Sequence, residues 1–339
     1  MVTFSNPWAM TFLPDGRLLV TEKPGRLFLV TTAGVKTQVA GVPAVVSSGQ
    51  IGLHDVIIAP DHASSGRIYL SYMEAASGGE RLAVARATLG GGGVPTLSNL
   101  QVIWRGTPAT TGGHPGARLA ISPDGFLFVS SGDRQQGAPA QDLSGTLGKV
   151  LRLNLDGTVP AGNPFAGTPG ARPEIWSLGH RNPYGLVLAS DGRLFESEHG
   201  PEGGDEFNLI AAGRNYGWPL VSEGNNYGGG AIPRHSTRPD LAAPLVSWTP
   251  VIAPGNMIQY RGTLFTGWTG DFVLAGLASQ GLVRVRVSGA TAAPTATEVA
   301  RIPLQARIRE VEEGPDGAIW VLEDGGSGRL IRLDPAATL

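Results

Sequence analysis

No cysteine occurs in this 339-residue chain, which excludes disulfides, thiolate metal sites and a cysteine nucleophile while leaving the compartment open. Charge is sparse and balanced: 26 Lys and Arg stand against 28 Asp and Glu, and charged residues make up only 16%. Without a basic block there is no surface to neutralise phosphates, so nucleic acid is discarded as a partner. No apolar run approaches the roughly 20 residues of a membrane helix, and no membrane insertion is expected. The opening, MVTFSNPWAMTFLPDG, lacks the charged and then apolar segments of an export leader, so any such signal is expected to be absent or already removed. None of the six histidines (His54, His62, His114, His180, His199, His235) stands in His-x-x-x-His spacing, which leaves a helix-borne zinc site without support.

What the chain has in quantity is turn residues. Its 50 glycines and 26 prolines are scattered rather than pooled in a linker, as many short strands joined by tight turns require. One phrase recurs: a few apolar residues, a Pro-Asp-Gly-like turn, then an apolar strand, at 12–22, 58–72, 121–133, 188–198 and 313–324. The turn aspartates Asp15, Asp61, Asp124, Asp191 and Asp316 lie 46, 63, 67 and 125 residues apart, and the doubled last interval predicts a degenerate sixth unit, LFTGWTGDFVLAGL at 264–277. Six strand-rich units of roughly 40 to 70 residues predict an all-β fold: a six-bladed β-propeller of four-stranded antiparallel blades, with 1–339 as a single domain. A sandwich would not repeat the phrase six times. A β/α barrel would need helical periodicity between strands, of which only 206–212 offers any.

Two segments read as loops by composition. The glycine run 90–93 lacks the GK[ST] ending of a phosphate loop and is expected to be mobile; 225–230, NNYGGG, reads as a second flexible segment. Unusual chemistry is concentrated in 179–219, GHRNPYGLVLASDGRLFESEHGPEGGDEFNLIAAGRNYGWP. Hairpin turns want Gly, Pro, Asn or Asp for backbone reasons, whereas Arg181, Glu198 and Glu206 add charge that folding does not require. The turns 180–183 and 198–201 bracket one hairpin and so are expected on one face. Taken singly these are solvated turn charges; together they favour a site. His114, in TTGGHPGARLAISPDG, has small neighbours that admit a substrate, and an imidazole accepts a proton at neutral pH. A solvated turn histidine is the alternative. Arg307 and Arg309 alternate along an expected strand and so point to one side, where two guanidiniums could grip one polyanion or simply face solvent.

The order GHRNPYG followed by SEHGPEGGDEFNLIAAGRNYGWP resembles the soluble quinoprotein glucose and aldose sugar dehydrogenases, which use pyrroloquinoline quinone (PQQ), and the likeness extends from Asn6-Pro7-Trp8 through the last unit. The resemblance implies oxidation of an aldose sugar at its anomeric carbon to a lactone, with His114 as general base and hydride passing to the quinone. It implies Gln50, Asn182, Arg307 and Arg309 as cofactor contacts, Arg181 as stabiliser of charge on the quinone, and Trp248 as a cover over the cofactor, with core packing as its equal alternative. The backbone carbonyls of Gly200 and Pro201 would hold a catalytic Ca2+, and Glu206 with the carbonyl of Tyr216 a structural one, since hard oxygen ligands suit that ion. The chain departs from the pattern at His54, where many relatives are apolar, and at Ala278 and Ser279, where relatives often carry a cofactor-binding lysine; no lysine lies between Trp248 and Leu339. The resemblance also implies a periplasmic or secreted protein that hands electrons to an acceptor the sequence leaves unnamed. Two other readings stay open: a calcium-dependent propeller lactonase, and a non-catalytic carbohydrate-binding propeller.

Overall fold

The computed structural model describes residues 2–90 and 93–336, and their strands form a ring of six four-stranded antiparallel sheets. The innermost strands of blades one to six are Pro7–Phe12, Leu53–Ile58, Gly116–Ile121, Pro183–Leu188, Pro254–Gln259 and Ile308–Glu313, and each packs beside its neighbours around the axis. The recurring turn lies between the first and second strands of blades one, two, three, four and six. In blade five 264–277 fills that place: the loop before Phe272–Gly276 packs Phe265 and Trp268 against Tyr260 instead of using Asp-Gly. Blade six takes its outermost strand, Thr3–Phe4, from the start of the chain, which pairs with Gly328–Leu333 and closes the ring.

Two expectations are corrected. The tract 206–212 is not helical: Asp205–Ile210 is the third strand of blade four, between Leu194–Glu198 and Val246–Trp248. Phe207 faces the apolar layer shared with Phe195 and Phe272, while Glu206 and Asn208 are buried on the other face, so buried polar residues had blurred the period of two. The segment 225–230 is a hydrogen-bonded turn: Asn225 bridges Glu202 and Ala231, and Asn226 N–H donates to Gly230 O. The glycine run falls partly at 91–92, outside the described residues. Among the described residues the one α-helix is the short turn His62–Ser65, and no helix is long and apolar enough to cross a membrane.

Every innermost strand carries an irregularity of register in its first half, at Pro7/Met10, Leu53/Val56, Gly116/Leu119, Pro183/Gly185, Pro254/Met257 and Ile308/Glu310. A bulge leaves backbone groups outside the ladder and re-aims side chains. In three blades a hydroxyl on the second strand fills the gap. Thr21, Ser71 and Ser130 accept from the N–H of Ala9, Asp55 and Arg118 in their own blades and donate to His54 O, Ala117 O and Pro183 O in the next. Each bridge joins two blades at the level where the side chains of Trp8, His54, Arg118 and Tyr184 turn toward the axis.

Candidate active site

The loops that precede the innermost strands and follow the second strands all emerge at the end of the ring opposite the recurring turns. His114, Arg181, Gln50, Gly200, Pro201, Arg307 and Arg309 therefore share that end, as the hairpin argument required for the 179–219 segment. Pro183 pairs with Glu198, and His199 N–H donates to Asn182 O, so the turns at 180–183 and 198–201 lie side by side.

His114 is buried, with φ at 47°, a left-handed conformation that a histidine holds only when its surroundings fix it. Gln50 Oε1 accepts from its backbone N–H at 2.7 Å, and Asp133 Oδ1 lies 2.7 Å from its Nδ1. Burial alone would raise the Asp133 carboxyl, but the hydrogen bond and charge of His114, with donations from Trp218 Nε1 and Gln135 N–H, outweigh it and hold the group below its ordinary value. An ionised carboxylate can only accept, so Nδ1 carries a proton, and in the neutral ring Nε2 is the nitrogen left to accept one. Sequence reasoning missed both Asp133 and Trp218. The first closes the phrase ISPDGFLFVSSGD at the site end of its strand, and the second ends the signature segment.

Arg181 is buried beside the 198–201 turn: its Nη1 donates to His199 O at 3.2 Å, its guanidinium carbon lies 5.2 Å from the Trp218 ring and 5.8 Å from Tyr227, and its Nε has no partner. Two backbone N–H groups, of Arg181 and Asn182, donate to Glu198 Oε2, so Glu198 shapes the turn that presents both residues. Asn182 Oδ1 accepts from Gly116 N–H at 3.3 Å.

Below the turn lies a small cavity of about 10 Å³, lined by Arg181, Glu198, Gly200, Pro201, Glu206 and Tyr216 among others. That is room for one water-sized or ion-sized occupant. Burial pushes the Glu206 and Glu196 carboxyls well above their ordinary range, with the charge of Glu198 adding to it, and Asn208 Nδ2 donates to both. One oxygen of Glu196 and the Asn208 Oδ1 have no hydrogen-bond partner among the described residues. His180, Glu196 and Glu198 are close enough for their ligand atoms to meet at one point. This donor set, rich in carboxylate and carbonyl oxygen, fits a hard divalent cation. Asp205, raised to about 6 by burial, accepts from Gly200 N–H and Ala253 N–H and so ties the turn to blade five.

A second cavity, of about 150 Å³, is lined by Lys23, Gln50, Asn182, Arg307, Arg309 and Leu277, with the aromatic rings of Trp8, Tyr184 and His199. Arg307 precedes its strand rather than lying within it, yet it and Arg309 reach one carboxylate: Asp324 lies 3.2 Å from Arg307 Nε and 3.0 Å from Arg309 Nη2. Burial and the charges of Arg309 and Arg181 hold His199 neutral, down to about 3, and its Nε2–H donates to Pro254 O. Beneath the cavity Arg118 plugs the axis: it stacks 4.0 Å from the Trp8 ring, donates to Tyr184 O, and pairs with Asp55 and Glu310. His54, the departure noted in sequence, lies there too, edge-on to Trp8 at 4.8 Å and kept neutral by burial and surrounding cations.

Trp248 does not join this group. Its ring is 5% exposed in the apolar layer with Phe207, Ile252 and Phe272, and its Nε1 donates to Glu298 of blade five, so it staples the outer parts of two blades. Its strand is the outermost of blade four, far from the axis.

Residues 4–332 match the family model described as Glucose / Sorbosone dehydrogenase. The aldose sugar dehydrogenase of Escherichia coli is 38% identical over 97% of this chain and 90% of its own length; its crystal structure in the apo form superposes with a TM-score of 0.91, covering 98% of this chain and 97% of that one. Quinoprotein glucose dehydrogenase B of Acinetobacter calcoaceticus is 28% identical over 98% of this chain and 86% of its own length. The PQQ-bound aldose sugar dehydrogenase of Streptomyces coelicolor superposes with a TM-score of 0.78 at 29% identity, covering 98% of this chain and 95% of that one. This chain belongs to the glucose/sorbosone dehydrogenase family.

Proposed function

We propose that the protein is a PQQ- and Ca2+-dependent dehydrogenase that oxidises an aldose at its anomeric carbon to the lactone. The observation that carries the reading is the Asp133-oriented His114 standing at the same mouth as a cavity ringed by cations. A planar tricarboxylate fits that cavity's chemistry: Lys23, Arg307 and Arg309 face it against the single carboxylate of Asp324, and Gln50 and Asn182 add amide groups. When bound, the quinone supplies the hydride acceptor that no side chain can.

The chain's own residues do the rest. His114 Nε2 takes the proton of the anomeric hydroxyl, and Asp133 steadies the imidazolium that results. Arg181, with a donor atom free, offers positive charge where negative charge develops. The carbonyls of Gly200 and Pro201 would hold a calcium ion acting as Lewis acid, and Glu206 with the Tyr216 carbonyl a second ion, although Tyr216 O here accepts from His235 Nε2 at 3.0 Å. Trp218 and Tyr227, both near the Arg181 guanidinium, offer aromatic faces to a sugar ring.

The test is sugar-dependent reduction of an artificial dye by purified protein given PQQ and Ca2+. Activity should appear with glucose or another aldose and vanish on chelation, and chelator alone should lower the melting temperature, because an ion bound only by the folded state stabilises it by mass action. Failure to oxidise any aldose, together with hydrolysis of a lactone, would replace this reading with the lactonase.

A further inference from the structure

Lys23 lies in the turn between blade one's second and third strands, Leu18–Glu22 and Arg26–Val30, and faces the same cavity as Arg307 and Arg309. The turn is held tightly: Lys23 O accepts from Leu53 N–H at 2.9 Å, and a Cβ on Gly52 would come within 2.3 Å of that oxygen, so only glycine lets the two loops approach. The Lys23 ammonium donates to Gly49 O at 3.0 Å, beside Gln50, and among the described residues no carboxylate comes within ion-pair distance of it. Asp324 is already shared between the two arginines. Three cations thus face one carboxylate, and the cavity carries an excess of two positive charges. Burial lowers the Lys23 pKa, the charge of Arg309 lowers it further, and Asp324 opposes them only in part. Such a cluster is self-repelling until an anion enters.

We propose that Lys23 is a cofactor-holding residue that grips a carboxylate of the anionic quinone from blade one, beside the arginine pair of the neighbouring blade six. It takes over the function of the lysine that positions 278 and 279 lack. Ala278 is exposed and Ser279 hydrogen-bonds through its N–H to Ile252 O, so blade five contributes only Leu277 to the cavity wall. A flexible ammonium on another wall of the cavity serves as well as one on blade five, because a point charge needs proximity rather than a fixed fork.

The inference rests on the quinone reading, and equilibrium binding separates the two. PQQ is titrated into the full-length protein with Ca2+ and no sugar, following quenching of tryptophan fluorescence. Lys23→Gln should weaken binding about tenfold, the effect of one partly buried charge contact, and make it less sensitive to salt. Lys23→Arg should restore most of the affinity, and Lys36→Gln, whose lysine holds Thr3 O away from the cavity, should change nothing. Melting of each variant without PQQ checks that the fold is intact. If the parent binds PQQ and Lys23→Gln binds equally well, the role assigned to Lys23 is wrong while the quinone reading stands. If the parent does not bind PQQ at all, the quinone reading falls and this inference with it.

Discussion

Because an ionised Asp133 can only accept, its 2.7 Å contact with His114 sets the tautomer that the proposed proton removal would need. His114→Ala should leave folding and PQQ binding nearly intact while turnover falls roughly 10²- to 10⁴-fold, the usual contribution of a positioned base. Asp133→Asn keeps the shape but can donate its amide N–H to Nδ1, which moves the imidazole proton to Nε2 and blocks the base. Turnover should therefore fall by a comparable factor with PQQ affinity unchanged, and near-normal turnover in Asp133→Asn would show that the pair does not govern the proton. At this scale the sequence singled out Arg181 because a charge is out of place in a plain turn, His114 by its small neighbours and the arginine pair by alternation along a strand, whereas Asn182 came from the family resemblance alone. It hid Asp133, which ends a strand as any aspartate might, and it offered Trp248 in place of Trp218, since nothing in a sequence tells a tryptophan in an outer strand from one at a mouth.

At the scale of the elements, the strongest periodic signal and the candidate site sit at opposite ends of the propeller. The Asp-Gly turns repeat because each must reverse the chain between the first two strands of a blade, and they made the blade count readable, including the aromatic substitute in blade five. The bulged starts of the innermost strands left no comparable mark, since an irregular register is a consequence of neighbours distant in sequence. Their signature is instead a hydroxyl on the second strand, Thr21, Ser71 or Ser130, which serves two blades at once. Ser130→Ala would strand the Arg118 N–H and Pro183 O in a buried site, each of which costs about 1–3 kcal/mol when left dry. For the two groups together, chemical denaturation should show a loss of about 2–6 kcal/mol. Ser64→Ala, whose hydroxyl meets Asp61 O at the surface, should cost little, and equal losses for the two would remove the special status of the bridge.

For the whole molecule, the ring has one seam that is not covalent, where Gly328–Leu333 of blade six meets Thr3–Phe4, the strand that leads on through Ser5 and Asn6 into blade one. It is closed by two residues of strand and by an apolar cluster of Phe4, Met10, Val20 and Phe28 from the start of the chain against Ala318, Trp320, Leu322 and Leu330 from its end. The repeat spacing showed that six units were present but could not show which partner supplied the last strand, because two residues, Thr3 and Phe4, are too few for a pattern. Phe4 is 2% exposed, lies edge-on to Phe28 at 5.9 Å, and has the Lys36 ammonium 4.8 Å from its ring centre. Phe4→Ala should destabilise the protein by about 3–5 kcal/mol, as loss of a buried aromatic usually does. Phe207→Ala, in the layer between blades four and five, removes a comparable side chain away from the seam. The difference should appear in native-state hydrogen exchange: Phe4→Ala should speed exchange first in Gly328–Leu333, whose register it shares, while Phe207→Ala should leave that strand's protection ahead of blade four's. If both variants loosen all six blades to the same extent, the ring opens as one unit and the seam is no weaker than any other contact between blades.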